Sequence, residues 1–322
     1  MNFNNEYLGE FKSQSEWSEV KVLESSNENV LKYIFKKDDA LVEAVLYKYP
    51  TYEERTVMCI SVMCGCPMGC TFCGTGKFYS RNLTSSEIES QVYHMLKDRN
   101  INPYGIKNWQ IMTMSMGEPM LTQGTLIPAL DNLNKKFPKA KLLVSTAAPK
   151  VDYRPFMDFA ERVDTVGLQF SVHESTDEAR DRLVKAKGKL DLASIVEQGE
   201  VFFARTGRHP FFNYCVHENN NSQDDVDRLL EHGFNPKVWQ STISVICEKD
   251  AEKLDEWDPD AEECIATNFA YKMQKVGFST RVFNPAGADD ISGSGCGQLL
   301  QVQDWARENP DKVKRSVGAT QS

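Results

Sequence analysis

Three closely set cysteines carry the strongest chemistry in this 322-residue sequence. They lie in Cys66-Pro-Met-Gly-Cys70-Thr-Phe-Cys73, a CxxxCxxC spacing with an aromatic residue before the last thiol. Three thiolates on one short loop can each bond a different iron of a cubane 4Fe–4S cluster, leaving the fourth iron open to an exchangeable ligand. A structural zinc site competes for such residues, but it wants four protein ligands and usually paired CxxC spacing. The following Gly74-Thr75-Gly76-Lys77 brings no further ligand. The motif therefore reads as a cluster loop with one open corner.

Further candidates come at intervals downstream. Met116-Gly117-Glu118-Pro119 follows an apolar run at 109–114. A glycine there lets backbone approach a ligand, and a carboxylate accepts hydrogen bonds from an ammonium or a ribose hydroxyl. Taken alone, the same tetrapeptide is also a tight turn. Ser145-Thr146 closes the next apolar run, and Ser171-Val172-His173 the one after it. Each puts a polar side chain where a ligand would lie, or simply caps a strand; the ordered series favours the ligand. His173, one of five histidines, reads as lining a cofactor rather than as a base.

These residues need a frame that gathers strand ends. Residues 30–48 alternate as a β-hairpin around Lys36-Lys37-Asp38-Asp39. Residues 57–62 read as a strand, followed by the cysteine loop and a helix that Thr84 and Glu87 open as a capping box. Further strands are expected at 109–114, 141–145, 165–172, 211–216, 238–246 and 279–283, with helices at 126–137, 176–185, 192–205, 224–232 and 262–276 between them. Alternating strands and helices imply an α/β fold with a parallel sheet and right-handed crossovers, a closed or partly closed β/α barrel. Ligands in such barrels sit at the C-terminal ends of the strands. The expected organisation is a short extension with a hairpin over 1–50, its first 25 residues loosely packed, then a barrel core over 51–300 and a polar tail over 301–322.

Composition narrows the setting. The chain is 41% hydrophobic and 26% charged, enough to bury a large core. No run of about 18 apolar residues suggests a membrane span, and the first residues lack the basic-then-apolar pattern of a secretory leader. A cytoplasmic enzyme is expected. Five of the nine cysteines fall between Cys59 and Cys73, which argues against a secreted disulfide scaffold. A net charge of −9 counts against an extended nucleic-acid surface. Lys135, Lys136, Lys139 and Lys141 form one local basic group, and Arg180, Arg182, Lys185, Lys187 and Lys189 another. Both read as solvated helix ends.

Taken in order, the motifs resemble the RlmN/Cfr family of radical S-adenosylmethionine (SAM) RNA adenine methyltransferases. The resemblance rests on the loop at 66–83, Met-Gly-Glu-Pro at 116–119, Ser-Thr at 145–146, Ser-Val-His at 171–173, Gly-Ala-Asp-Asp-Ile at 287–291 and Gly-Cys-Gly-Gln-Leu at 295–299. It implies a partial (β/α)6-type radical SAM barrel, a 4Fe–4S cluster on Cys66, Cys70 and Cys73, and SAM against Gly117, Glu118, Ser145, Ser171, Val172 and His173. It further implies that Cys296 accepts a methyl group from one SAM. A radical from a second SAM would then take hydrogen from that methyl, and the carbon would add to C2 of adenine in the RlmN type or C8 in the Cfr type. Cys59 would release the product through a transient disulfide with Cys296, and Glu43 falls at the family's proton acceptor. On the residues alone, Cys59 also reads as a small buried strand residue and Glu43 as a solvent-facing strand carboxylate. Cys64, Cys215, Cys247 and Cys264 read as structural. The implied partners are ribosomal or transfer RNA, a flavodoxin- or ferredoxin-type electron donor and a thiol reductant. The loop at 77–82 is closer to the RlmN form and favours C2.

Three departures bear on the substrate. About 30 polar residues precede the hairpin, too few for the family's N-terminal helical domain. The family's Trp/Tyr-Asn-Pro segment, which contacts SAM, has no clear equivalent in Ser241-Thr-Ile-Ser-Val-Ile-Cys-Glu248. The chain is also acidic. The same chemistry on a smaller RNA, a small molecule or a peptide is the alternative expectation.

Overall fold

The computed structural model describes residues 16–25, 28–245, 259–283 and 300–315. In chain order the strands are β1 (Glu19–Glu24), β2 (Val30–Lys37), β3 (Ala40–Lys48), β4 (Arg55–Cys59), β5 (Met63–Gly65), β6 (Phe78–Asn82), β7 (Asn108–Thr113), β8 (Lys141–Thr146), β9 (Val166–Ser171), β10 (Phe211–Val216), β11 (Gln240–Val245), β12 (Ser279–Phe283) and β13 (Lys314–Arg315). The helices are α1 (Ser85–Asp98), α2 (Gln123–Lys136), α3 (Arg154–Arg162), α4 (Asp177–Leu183), α5 (Leu192–Thr206), α6 (Gln223–Glu231), α7 (Pro259–Lys275) and α8 (Leu300–Glu308).

A ten-stranded sheet runs in the order β1-β2-β3-β4-β7-β8-β9-β10-β11-β12. The first four strands pair antiparallel. From β4 onward every pairing is parallel, with a helical crossover between successive strands. The architecture is thus the expected α/β partial barrel with an N-terminal hairpin. A second small sheet, β13-β6-β5, flanks the cysteine loop. Among the described residues no helix is long and apolar enough to cross a membrane.

Strand register divides the large sheet into two faces, because paired residues point the same way and neighbours along a strand point oppositely. One face presents Ile111, Leu142, Val144, Leu168, Phe170, Phe212, Tyr214 and Ile243, all buried in the main core beneath the helices. The opposite face follows the pairings Val45↔Cys59, Cys59↔Met112, Ser145↔Gln169, Ser171↔Asn213, Asn213↔Thr242 and Thr242↔Arg281. That face is largely polar and lines a cavity.

Local chemistry sets the start and the packing of α1. Thr84 and Glu87 form the expected capping box of α1. Ile88, Val92, Met95 and Leu96 place its apolar stripe in the core at helical spacing.

The structure differs from the sequence expectation at both described ends. The segment read as a loose lead-in contains β1, which pairs along its whole length with β2, and Trp17 is buried 5.4 Å from the Phe35 ring. Only Val20, Val22 and Leu23 face the core, so the charges of a solvated edge strand mask the alternation. The segment read as a polar tail contains α8, which packs against β3 and the turn after the cysteine loop through buried Val302 and Ala306. Beyond it, β13 pairs with β6.

Candidate active site

The cavity on the polar face has a volume of about 610 Å³. Cys59, Cys66, Cys70, Cys73, Gly117, Glu118, Ser145, Ser171 and His173 all line it. Residues far apart in sequence thus meet because the C-terminal ends of the parallel strands converge.

The cysteine loop leaves β5 and is clamped before β6. Cys66 N–H donates to Phe78 O at 2.7 Å, Cys73 N–H to Cys70 O at 3.3 Å and Gly76 N–H to Cys73 O at 3.0 Å. Thr71 N–H reaches across to Leu183 O at 2.9 Å, and Cys70 bridges to Val184. A Cβ on Gly76 would come within 2.7 Å of the Cys70 carbonyl oxygen, so only glycine fits there.

Burial raises the pKa of all three thiols. Neighbouring Cys70 adds to the effect at Cys66, and neighbouring Cys73 at Cys70. Thiolates at these buried, neighbouring positions would be costly and would repel one another, so their formation calls for a cationic partner. Among the described residues, no three His, Cys, Asp or Glu side chains gather as around a single ion. A cubane suits that arrangement, because each thiolate bonds a different iron.

Glu118 is held at a turn that only glycine allows. Gly117 has φ +102°, and a Cβ on it would lie 2.7 Å from the Met63 Cβ. The buried Glu118 carboxyl accepts from Met120 N–H (3.0 Å), Thr146 Oγ1 (2.5 Å) and Ala147 N–H (2.7 Å). Burial pushes its pKa up to about 7 despite those hydrogen bonds. The Gly-Glu-Pro and Ser-Thr motifs are therefore parts of one structure.

His173 is buried with φ +65°. Its Nδ1 accepts from Cys215 N–H at 3.2 Å, which places the ring proton on Nε2. Phe72, the aromatic residue of the cysteine motif, lies edge-on to it at 5.2 Å. Burial, then the charge of Arg180, drives the His173 pKa down to about 3, so the ring is neutral. Val172 is different: its side chain is buried in the core on the other face, and only its backbone lies near the cavity side.

Cys59 is buried at the end of β4 and opens on the cavity. Glu43 lies on the same sheet face, two residues from the partner of Cys59 on β3. It is wholly buried, which overturns the solvent-facing alternative, and Ser115 Oγ lies 3.4 Å from its Oε1. Cys296 and Cys247 lie outside the described residues.

Sequence reasoning missed several functional positions. Arg180, read as part of a solvated helix end, is fully buried. Its guanidinium donates to the carbonyls of Leu190 and Ala147 at 2.8 Å and of Ser171 at 3.3 Å, tying the α4–α5 connection to the β8–α3 loop and the end of β9. Asn213, Cys215, Thr242 and Ser244 line the cavity where β10 and β11 run side by side. Ser244 Oγ bonds to Asn213 Oδ1 at 3.1 Å and lies 3.3 Å from Cys215 Sγ. Cys215 is therefore a wall residue rather than part of the outer core. The period-two spacing of these polar residues was the available signal.

No family model matches the chain. Among curated proteins, the probable dual-specificity RNA methyltransferase RlmN of Thermus thermophilus is 31% identical over 302 residues, covering 88% of this chain and 78% of that protein. The dual-specificity RNA methyltransferase RlmN of Syntrophotalea carbinolica is 30% identical over 312 residues, covering 92% and 78%. Among solved structures, a radical SAM methyltransferase from Sphaerobacter thermophilus matches with a TM-score of 0.66 at 22% identity, covering 92% of this chain and 86% of that one. Streptococcus suis SuiB, bound to its precursor peptide SuiA, matches with a TM-score of 0.52 at 13% identity, covering 74% and 50%. The structural likenesses speak to fold, and the fold is that of the radical SAM methyltransferases. At the sequence level the chain belongs to the RlmN family of methyltransferases, whose class implies SAM and an iron–sulfur cluster.

Proposed function

We propose that this enzyme methylates an sp2 carbon of adenine in RNA, C2 in preference to C8, using two SAM molecules and a methyl-carrying cysteine. The observation that carries the reading is the opening of Cys59 onto the same cavity as the three cysteines of the CxxxCxxC loop and Glu118, in a member of the RlmN family.

Cys66, Cys70 and Cys73 would hold a 4Fe–4S cluster, and Glu118 would accept from the SAM amino group through the lone pair left on Oε2. Ser145, Ser171, the Val172 backbone and neutral His173 would line the rest of the SAM site. When bound, cluster and SAM supply an electron transfer that cleaves SAM and yields a hydrogen-abstracting radical.

The remaining steps fall to this chain's side chains. The Cys296 thiolate would take a methyl group from SAM and present it to the adenine. Glu43 would take the proton lost from the adenine carbon. The methyl carbon, having given up a hydrogen atom, would by then be bonded to the adenine carbon. The Cys59 thiolate would attack Cys296 Sγ, forming a disulfide as the carbon–sulfur bond breaks. The released carbon would take up a proton to become the methyl group while the one surplus electron passes back to the cluster when bound. A thiol reductant would restore both thiols, and a flavodoxin- or ferredoxin-type protein would supply electrons.

The test is anaerobic incubation with methyl-labelled SAM and total RNA, followed by nucleoside mass spectrometry. Label in 2-methyladenosine is expected, and it should vanish in Cys296→Ala while iron content is kept. Label absent from every RNA size fraction would sink the RNA reading, and label undiminished in Cys296→Ala would sink the methyl-carrier scheme.

A further inference from the structure

Two arginines in the cavity wall have no part in the chemistry above. Arg55 opens β4 and Arg281 sits at the middle of β12, the first and last strands of the parallel series. Both line the cavity. Arg55 precedes Cys59 by four residues on the same face of β4, about 13 Å of strand, so it marks the end of the cavity away from the thiols.

The curved sheet brings the two guanidiniums into electrostatic range. The pKa of Arg281 is lowered, first by burial and then by the charge of Arg55. Neutral groups hold each one flat. Arg55 lies over the Tyr49 ring at 4.9 Å and donates to Gln110 Oε1 at 3.4 Å. Arg281 lies over the Phe211 ring at 4.8 Å and donates from Nε to Thr242 Oγ1 at 3.1 Å. Among the described residues neither forms a salt bridge, and the buried Nε–H of Arg55 has no hydrogen-bond partner. Two like charges converging without a carboxylate between them are costly until an anion arrives. Stacked guanidiniums with exposed forks suit a phosphate, whose oxygens they can meet in pairs.

We propose that Arg55 and Arg281 form a phosphate clamp, gripping a backbone phosphate of the RNA whose adenine reaches Cys59. The clamp rests on the adenine reading above and deepens it. It fixes where the nucleotide sits and reads no sequence. It also explains how an acidic protein engages a polyanion: the contact is local, between half-buried Arg55 and exposed Arg281 at the cavity wall, rather than spread over the surface.

The test is equilibrium binding of the purified holoenzyme to a fluorescein-labelled, adenine-containing single-stranded RNA oligomer, measured by anisotropy across a salt series. Arg55→Gln and Arg281→Gln should each weaken binding about tenfold or more and lower the slope of log affinity against log salt by about 0.7. Lysine at either position should keep most of the slope. Adenosine 5′-monophosphate should displace the RNA better than adenosine does, a comparison on unmutated protein that stands even if a glutamine variant fails to fold. Unchanged affinity and slope in both glutamine variants, or equal displacement by the nucleotide and the nucleoside, would overturn the clamp. If the protein binds no RNA yet binds adenosine 5′-monophosphate directly, more tightly than adenosine and in an arginine-dependent way, the two arginines stand as a nucleotide-phosphate site and the RNA reading falls.

Discussion

Glu118 shows how much one residue can depend on its neighbours. In the sequence it is a carboxylate in a turn. In the structure it is buried, joins the β7 turn to the end of β8 through Thr146 and Ala147, and has a pKa of about 7. Its three donors help to offset the cost of desolvating a charge, and a cationic ammonium would complete that compensation. Glu118→Gln keeps the size but cannot offer the charge. SAM affinity should fall about tenfold or more while cluster iron, measured by colorimetric assay, stays at the level of the parent enzyme. Parallel loss of iron would mean that Glu118 serves the loop's architecture and not the ligand.

At the scale of elements, the β2–β3 hairpin, β6 and α1 are joined by one ionic knot. The Glu87 carboxylate receives Arg81 at 2.8 Å, Lys37 at 2.7 Å and its own N-cap amide at 2.9 Å. Burial alone would raise its pKa, but Arg81, Lys37 and the Thr84 amide overcome it and leave the group at about 2, from an ordinary value of 4.5. A depressed carboxyl pKa contributes stability that is complete above 4.5 and is lost as pH falls through about 2. Glu87→Gln should therefore melt at a lower temperature than the parent near neutral pH. The gap should narrow below pH 4.5 and nearly close towards pH 2 in thermal denaturation followed by circular dichroism. A gap that is constant with pH would remove the ionic explanation.

The same scale shows what sequence can convey. The CxxxCxxC loop was legible because cluster ligation is written in local spacing, and β7 to β12 were legible because buried strands make short apolar runs between turns. The capping box of α1 was legible for the same local reason. Arg180 was not, since what buries it is the convergence of two loops and the end of β9, and its helix is otherwise charged. Helix α3 went unread because Pro155 near its start and several charges hide a stripe made of Phe156, Met157, Phe159 and Ala160. The nearness of Arg55 to Arg281 is a property of sheet curvature, which no local pattern records.

For the molecule as a whole, the cavity and the charge together restrict what can be a substrate. The wall is a continuous sheet face, and on the chemistry proposed above a base would have to reach Cys59 within it. A paired, stacked adenine cannot present its edge there without leaving the helix. With a net charge of −9 the surface offers little general attraction to RNA. An adenine in a loop or single strand should thus be methylated at least tenfold faster than the same adenine inside a stable duplex, the unpairing cost being a few kcal/mol. Matched oligomers with and without a complementary strand measure this, and equal rates would show that substrate does not enter the cavity as an extruded base.

The alternation of the sheet faces has a consequence for how this chain tolerates change. In β10, Phe212 and Tyr214 hold the core together while Asn213 and Cys215 make the wall. Cohesion and ligand contact are written in alternate letters of one word. Deleting Phe211 at the start of β10 and shifting the strand by one would turn the two aromatic rings into the cavity and the polar pair into the core, abolishing both properties at once. Connections that hold no part of the site, unlike the cysteine loop and the Gly117 turn, meet no such coupling. Length variation compatible with a working enzyme is therefore confined to those connections, and each strand between Arg55 and Phe283 must be inherited whole.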